Sequence, residues 1–255
     1  MSDNSLNMSP ASFAKHKIFG ISGRAQSGKS TLAEYIKTEL DLPDFYPEWD
    51  EEGMCLRIVH FADALKTFLR NTMGLSDYQL NNDEGKTELT HLKWEDMPGV
   101  VSEKMACNIT KHSNPKVAAQ VLAESKIKVA EGCMTGREVM EYFGTDVIRR
   151  MYEDAWVRAT LQEIAMTHDP TVFIIADVRS KNEIAKIFGA GGFVIRLTRD
   201  PEHRDTQIER QLDQSEYNWE NFDVIIDNKD MTLEEKNQKG LEAFYELFPS
   251  MKTTV

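Results

Sequence analysis

One short run of the sequence has the residue types and the spacing of a phosphate-binding loop. Residues 23–30 read GRAQSGKS, and they follow the apolar strand candidate Ile18–Ile21 at the start of a predicted helix. Glycines in such a loop let backbone N–H groups approach phosphate oxygens, while Lys29 can reach the β- and γ-phosphates and Ser30 can hold Mg²⁺. The pattern predicts a bound nucleoside triphosphate. A Gly/Ser-rich turn that only caps a helix is the alternative.

A carboxylate and an arginine suited to phosphoryl transfer follow another apolar run. That reaction needs a metal ion near the β- and γ-phosphates and cations around the group in transfer. Asp177 comes directly after Val172–Ala176, where an acid of the Walker B type would hold Mg²⁺ directly or through water. Arg179 lies two residues further on, so we expect it at the same edge of the sheet as a phosphate contact. A helix-capping Asp177 is the alternative.

Arg137 and Trp156 are two further candidates for the site. Arg137 opens a predicted helix whose apolar stripe does not include Arg137 or the segment 144–146, so these residues are available for functional contacts. The residues of that stripe are Met140, Phe143, Val147 and Met151. Trp156 could line a base pocket, and a position in the core is the alternative.

Another group of cations follows the fourth strand candidate. Arg199, Arg204 and Arg210 fall within one polar segment. We expect residues from about 199 to 217 to form a lid that closes over the triphosphate. Acidic residues dilute the charge of this segment, so a solvated surface helix is the alternative.

The composition disfavours several classes of protein. The 255 residues carry a formal net charge of −12, which argues against a surface that binds nucleic acid. The three cysteines, Cys55, Cys107 and Cys133, form no close pair in the sequence and lack the spacing of metal ligands. This pattern is typical of reduced thiols. No apolar run reaches the ~18 residues of a membrane helix, and Met1–Asn7 has no signal-peptide core. We therefore expect no nucleic-acid partner, no membrane and a cytoplasmic location.

The elements that must position these residues alternate between strand and helix. The five strand candidates are Ile18–Ile21, Arg57–Phe61, Val172–Ala176, Phe193–Leu197 and Val224–Ile226. The third is apolar without alternation, as expected of a central parallel strand covered on both faces. These features predict an α/β fold with a doubly wound, five-stranded parallel sheet flanked by helices. The ligand should lie at the carboxyl ends of the strands.

Domain limits follow from changes in composition along the chain. Residues 1–15 are polar and are predicted to be a flexible extension before a single domain over residues 16–255. Between residues 71 and 136 polar and charged residues dominate, and only Val117–Ala130 resembles an amphipathic helix. We interpret residues 71–136 as an inserted subdomain, with a disordered linker as the alternative.

Several motifs together resemble those of bacteriophage deoxynucleoside monophosphate kinases, a family of phosphate-loop kinases. They are the loop GRAQSGKS, the segment Phe61-Ala62-Asp63-Ala64-Leu65-Lys66, the helix with Arg137, Met140, Phe143-Gly144-Thr145-Asp146 and Trp156, and Asp177-Val178-Arg179 with Glu183. The resemblance covers much of residues 18–70 and 136–230. It departs where family members have a histidine before a Ser/Thr-Glu pair, because here Gln214 precedes Ser215.

The resemblance implies a fold and a reaction. The fold would be that of nucleoside monophosphate kinases, with residues 71–136 as a largely helical insertion on the acceptor side and a lid after the fourth strand. ATP would donate its γ-phosphoryl group to a deoxynucleoside monophosphate. Mg²⁺ would be held by Ser30 and Asp177.

The resemblance also implies roles for individual residues. The catalytic residues would be Lys29, Arg137, Asp177 and Arg179. The residues implied to bind ATP are Gly23, Ala25, Gln26, Ser27, Gly28, Lys29, Ser30, Thr31, Arg204, Asn228 and Lys229. The residues implied to bind the acceptor are Asp63, Lys66, Arg137, Thr145, Trp156 and Arg179.

Other functions fit parts of the sequence. A small-molecule kinase of the dephospho-coenzyme A kinase or phosphomevalonate kinase type would share the loop and the Asp-x-Arg element. A nucleotide-dependent binding or motor module would be expected to show a basic surface or arginines at a subunit interface, and the sequence gives no clear sign of either. The sequence leaves open which bases are accepted and whether the chain forms a homodimer. If the chain is phage-encoded, its compartment would be the host cytoplasm.

Overall fold

The computed structural model describes residues 10–42, 54–201 and 210–252. Contacts along the chain divide it into two compact units. The sheet unit comprises Met1–Ala64 and Asp154–Val255, and the inserted unit comprises Leu65–Glu153. The inserted unit contains the segment 71–136 that the sequence marks as an insertion.

Strands and helices alternate through the sheet unit, and short elements of both kinds make up the inserted unit. The described strands are β1 (Lys17–Ser22), β2 (Cys55–Val59), β3 (Leu89–Lys93), β4 (Val100–Val101), β5 (Lys128–Val129), β6 (Cys133–Thr135), β7 (Thr171–Val178), β8 (Phe193–Leu197) and β9 (Val224–Ile226). The described α-helices are α1 (Lys29–Leu40), α2 (Asp63–Met73), α3 (Asp77–Asn81), α4 (Glu103–Thr110), α5 (Pro115–Glu124), α6 (Gly136–Glu141), α7 (Ala155–Met166), α8 (Lys181–Gly189) and α9 (Leu233–Leu247). A π-helix over Tyr142–Arg149 continues α6.

The predicted five-stranded parallel sheet is confirmed. Its strand order is β2-β7-β1-β8-β9, and every neighbouring pair is parallel. All five strand candidates form strands of this sheet. The second one lies two residues earlier than predicted and ends at Val59. Beyond that point the N–H groups of Phe61 and Ala62 donate to the side-chain carboxylate of Asp177 on β7, so they do not continue the backbone ladder with that strand.

The apolar run of β7 is continuous because both faces of the sheet are covered. Phe173 and Ile175 belong to the core layer that also contains residues of α7 and α8. Val172, Ile174 and Ala176 belong to the opposite layer, which contains residues of α1 and α9. Side chains alternate between the faces of a strand, so a strand buried on both faces needs apolar residues at every position.

Helices α1 and α9 approach each other closely at Gly240. A Cβ atom added there would lie 2.2 Å from Cδ1 of Leu32, whose side chain is fully buried. Gly189, at the end of α8, has no atom within 4 Å of such a Cβ.

We expect Gly240→Ala to lower the free energy of unfolding by about 1–3 kcal/mol, because overpacking a filled core displaces its neighbours. Gly189→Ala is the matched control and should cause no loss, since alanine favours helix more than glycine does. Denaturant unfolding of both variants measures the difference. Equal stability of the two variants would contradict the close packing.

The inserted unit contains two small pairs of strands and a separate apolar cluster. Strands β3 and β6 pair antiparallel, and β4 and β5 pair parallel. Ala106, Ala118 and Leu122 form the buried centre of the cluster between α4 and α5. This unit therefore has apolar packing of its own.

The predicted helix over Val117–Ala130 has the wrong limits. Helix α5 begins at Pro115, with Asn114 as its cap, and ends at Glu124. Lys126 then adopts a left-handed conformation with φ of 58°. The chain turns at this point, which lets β5 pair with β4.

The apolar stripe predicted for the helix after Arg137 is only partly correct. Phe143 is buried, but Met151 is 79 % exposed. The π-helix explains the difference because its i→i+5 bonds take more residues per turn than an α-helix. A position that would continue an α-helical stripe is therefore rotated away from it.

The ends of the chain and the expected lid are described only in part. Of residues 1–15, those from Pro10 onward are described, and Phe13 is buried in the core of the sheet unit. Residues 202–209 of the expected lid, with Arg204, lie outside the described residues. In the described part of the chain, no helix has both the length and the apolar character needed to cross a bilayer.

Candidate phosphate-binding site

The phosphate loop lies between β1 and α1, at the carboxyl edge of the sheet. Strand β1 ends at Ser22, and α1 begins at Lys29. Gln26 and Gly28 have positive φ values of 54° and 95°. Left-handed residues in such a turn direct successive N–H groups to one side and create a concave site for an anion. The start of α1 adds the positive end of its dipole.

The Lys29 side chain folds back over the loop. Its ammonium donates hydrogen bonds to the carbonyl oxygens of Gly23 at 2.9 Å and Arg24 at 2.7 Å. Only 6 % of the residue is exposed. The carbonyls hold the cation at the loop, where phosphate oxygens would be stronger acceptors because they carry charge.

Gly23 and Ser27 pack tightly inside the loop. A Cβ atom at Gly23 would lie 2.3 Å from the Ser27 hydroxyl oxygen. That hydroxyl is buried and has no hydrogen-bond partner among the described residues. A glycine is required at position 23 for this reason, and Ser27 brings an unsatisfied polar group into the loop.

Asn228 supports the loop from the end of β9. Its side-chain amide donates to the Ser27 carbonyl at 3.0 Å and accepts from the Arg199 N–H at 2.9 Å. The residue is 2 % exposed. Its side chain therefore connects the loop to the segment that follows β8. Lys229 comes directly after it at the same edge of the sheet.

Arg24 ties the loop to two acids. Its guanidinium forms two hydrogen bonds with the Asp213 carboxylate, at 3.2 and 2.6 Å, and an ion pair with Asp200 at 3.3 Å. Asp200 precedes the undescribed part of the expected lid, and Asp213 follows it. The loop is therefore linked to both ends of that segment.

Asp177 and Arg179 lie at the same edge of the sheet as the loop. Strands β1 and β7 are neighbours, and Ser22 pairs with Val178 between Asp177 and Arg179. The two Asp177 oxygens accept N–H groups of the loop after β2, at 2.8 and 3.2 Å. The Arg179 N–H donates to Glu183 at 2.6 Å, in the cap of α8. The sequence therefore placed this pair on the correct edge.

Ser30 and Asp177 have the chemistry that Mg²⁺ requires. The Ser30 hydroxyl is at an exposed position, and each Asp177 oxygen keeps a lone pair beyond the one that accepts an N–H group. Mg²⁺ takes few protein ligands and prefers oxygen atoms from carboxylates, phosphates and water. Among the described residues no group of three or more His, Cys, Asp and Glu residues gathers as a metal cage. The residues fit a nucleotide-bound magnesium ion.

The remaining acceptor candidates of the sheet unit have local contacts. The Asp63 carboxylate accepts the His60 N–H at 2.7 Å at the start of α2, and it lies 3.3 Å from the His60 ring nitrogen Nδ1. Trp156 is 8 % exposed. Its burial matches the core position given above as the alternative to a base pocket.

The inserted unit holds the other three acceptor candidates. Lys66 is half-buried on α2, and Thr145 is exposed on the π-helix. Arg137 is half-buried in the first turn of α6, between Thr135 and Glu138, which form the capping box of that helix. In the described ranges no residue forms an ion pair with Arg137.

A cavity of about 300 Å³ lies within the inserted unit, and its lining does not include these three candidates. Its lining residues are Pro98, Gly99, Lys126, Lys128, Tyr142, Asp146, Val147, Arg150 and Met151. The Tyr142 hydroxyl donates to the Pro98 carbonyl at 2.5 Å. Burial and the charge of Asp146 raise the pKa of the Tyr142 phenol.

Two buried cations at the loop were not anticipated from the sequence. The Arg196 guanidinium donates to the Ser22 hydroxyl at 3.0 Å, and the residue is 3 % exposed. A charged residue within the apolar strand β8 is a signal that could have identified it. The Lys236 ammonium donates to the Gly28 carbonyl at 2.9 Å. No local pattern marks Lys236, because the two residues are 208 positions apart.

Comparison with protein families gives one result that bears on function. The model of the family described as deoxynucleotide monophosphate kinase matches residues 67–239, which is more than half of the chain. A comparison with curated proteins found no match. The matched region begins after the phosphate loop, so the loop and the family match are separate indications.

Proposed function

Because the chain belongs to the deoxynucleotide monophosphate kinase family, we propose that it transfers the γ-phosphoryl group of ATP to a deoxynucleoside monophosphate. The products are ADP and a deoxynucleoside diphosphate. One observation carries the proposal: the loop with Lys29 lies at the sheet edge from which Asp177 and Arg179 also extend. A phosphoryl-transfer enzyme needs these groups around one triphosphate.

The donor side is built on the loop. Its N–H groups and the Lys29 ammonium bind the β- and γ-phosphates, and the ammonium exchanges the Gly23 and Arg24 carbonyls for phosphate oxygens. Ala25, Gln26, Ser27, Gly28 and Thr31 complete this side. Asn228 serves this side by holding the loop through the Ser27 carbonyl, Lys229 approaches the donor base, and Arg204 belongs to the lid.

Ser30 and Asp177 would hold Mg²⁺, which neutralises charge on the β- and γ-phosphates when it is bound. Asp177 has a second task in this proposal. Its bonds to Phe61 and Ala62 fix the loop that leads to Asp63 on the acceptor side. One carboxylate thus connects the metal site with the acceptor site.

The acceptor side must place one anion in line with another. Arg137, Arg179 and Lys66 supply positive charge for the acceptor phosphate and for the group in transfer. Thr145 and Asp63 contact the rest of the acceptor, whereas Trp156 is buried in the core. Without such cations, repulsion between the two phosphorylated substrates would keep them apart.

The reaction requires no covalent enzyme intermediate. An oxygen of the acceptor phosphate attacks the γ-phosphorus while the bond from that phosphorus to the β,γ-bridging oxygen breaks. ADP leaves with the electron pair of that bond. The protein contributes alignment and electrostatic stabilisation, which are the main sources of catalysis in phosphoryl transfer.

A coupled assay that follows ADP release tests the proposal. The purified protein would be given ATP and Mg²⁺ with each common deoxy- and ribonucleoside monophosphate, with dephospho-coenzyme A, with phosphomevalonate and with DNA. We expect ADP release that depends on at least one deoxynucleoside monophosphate. Release that depends only on the other acceptors, or only on added DNA, would contradict the proposal.

A further inference from the structure

Lys236 is a buried lysine that no carboxylate in the described ranges neutralises. It lies in the first turns of α9 and is 3 % exposed. Its ammonium donates to the Gly28 carbonyl at 2.9 Å and to the Thr31 hydroxyl at 2.6 Å. Both partners are neutral, so the positive charge of Lys236 is not balanced by them.

A cation in this position is unfavourable in the protein alone. Burial of a charge without an opposite charge costs free energy. The first turn of α1 also carries the positive end of the helix dipole, which repels a cation. Burial, and to a smaller extent the charge of Arg199, lowers the pKa of Lys236 to about 8.

The elements around Lys236 carry both cations and acids, but among the described residues none of these acids forms an ion pair with the Lys236 ammonium, whose hydrogen bonds go to Gly28 and Thr31. The charged residues of these elements are Lys29, Glu34, Lys37 and Glu39 on α1, Arg199 and Asp200 after β8, Asp227, Lys229 and Asp230 after β9, and Glu234, Glu235, Lys239, Glu242 and Glu246 on α9 itself. Asp227 bonds to the Thr198 hydroxyl, and Glu235 bonds to Thr232 in the cap of α9. These two carboxylates are therefore used elsewhere.

The Gly28 carbonyl connects Lys236 to the phosphate loop. It belongs to the same peptide unit as the Lys29 N–H, one of the groups that face the donor phosphates in the proposed function. The Thr31 hydroxyl also donates to this carbonyl, at 2.9 Å. A Cβ atom at Gly28 would lie 2.8 Å from the Lys236 nitrogen, so the glycine also makes room for the ammonium.

We propose that Lys236 is a positioning residue for the phosphoryl donor: its ammonium fixes the Gly28–Lys29 peptide and the Thr31 hydroxyl, and the donor triphosphate supplies the missing negative charge. This inference rests on the proposed function, because it takes the loop as the ATP site. Lys236 acts through the loop and touches no reacting atom.

The proposal predicts a specific pH dependence. Below pH 8 the ammonium is charged and attracts the triphosphate, and above pH 8 it loses its proton and this attraction. The triphosphate favours the charged form, so binding raises the pKa of Lys236 and takes up a proton near pH 8. Affinity for ATP should therefore fall as the pH rises through 8.

Lys236→Met tests the inference, with Lys239→Met as the matched control at an exposed position of the same helix. We expect Lys236→Met to raise the KM for ATP about tenfold, a change of ~1.4 kcal/mol. Its kcat and its KM for the acceptor should change much less. The rise of the KM for ATP above pH 8 should be present in the wild type and in Lys239→Met, and absent in Lys236→Met.

A purely structural lysine would give a different result. Its replacement would lower the Tm but leave the pH profile of the KM for ATP as in the wild type, and that result would overturn the inference. If Lys236→Met does not fold, calorimetry of the wild type in two buffers of different ionisation enthalpy measures proton uptake on ATP binding. Binding with no more uptake at pH 8 than at pH 6.5 would also overturn it. A wild type that binds no ATP would contradict the proposed function as well.

Discussion

Lys29→Ala is expected to lower kcat about a hundredfold to a thousandfold, the range found when one charge-stabilising group is removed from a transition state. The Lys29 ammonium lies over the Gly23 and Arg24 carbonyls, within the loop that should receive the triphosphate. The uncharged alanine side chain leaves the loop without the Lys29 cation. Steady-state kinetics with saturating ATP and acceptor measures the loss.

The fold of this variant should remain close to that of the wild type. The variant loses the hydrogen bonds of Lys29 to the Gly23 and Arg24 carbonyls, but it also loses the cost of burying a cation at the positive end of α1. The free energy of unfolding should therefore change by less than about 1 kcal/mol. Lys37→Ala, in the last turn of the same helix, is the control that should keep full activity. A folded Lys29→Ala protein with wild-type turnover would refute the role of Lys29.

Asp177→Asn is expected to lower kcat about a hundredfold and to raise the Mg²⁺ concentration needed for half-maximal activity. The asparagine side chain is neutral and holds a cation less well than a carboxylate does. Its NH₂ group also cannot accept an N–H, so one of the bonds to Phe61 and Ala62 is lost. Initial rates at a series of Mg²⁺ concentrations measure both effects.

Asp169→Asn is the matched control for this variant. Asp169 is exposed and precedes β7 at the opposite end of the strand. Its replacement should therefore leave unchanged both kcat and the Mg²⁺ concentration needed for half-maximal activity. The metal role would be wrong if Asp177→Asn lost activity but kept the wild-type Mg²⁺ dependence. Asp177 would then serve only to hold the loop after β2.

The sheet could be predicted because its signals are local in the sequence. The continuous apolar run of β7 indicates a strand covered on both faces, and β7 does contribute to both core layers. The loop was identified by its residue types and by the strand and helix on either side of it. Asp177 and Arg179 were placed at the correct edge because carboxyl ends of parallel strands lie together.

Other features could not be predicted because they depend on distant contacts or on rare backbone geometry. The contact of Lys236 with Gly28 joins residues 208 positions apart, and no sequence pattern around either residue predicts this contact. The π-helix over Tyr142–Arg149 breaks the period on which the stripe through Met151 was predicted. Helix α5 ends early because of a left-handed turn at Lys126, a residue type that does not favour that conformation.

Transfer of a labelled phosphoryl group tests the central claim most directly. The purified protein would be incubated with ATP labelled at the γ-phosphate, Mg²⁺ and a deoxynucleoside monophosphate, and the labelled products would be separated. We predict that the label moves to the deoxynucleoside diphosphate and that this transfer is lost in Lys29→Ala. Label that stays in ATP, or that appears only as inorganic phosphate, would contradict the account.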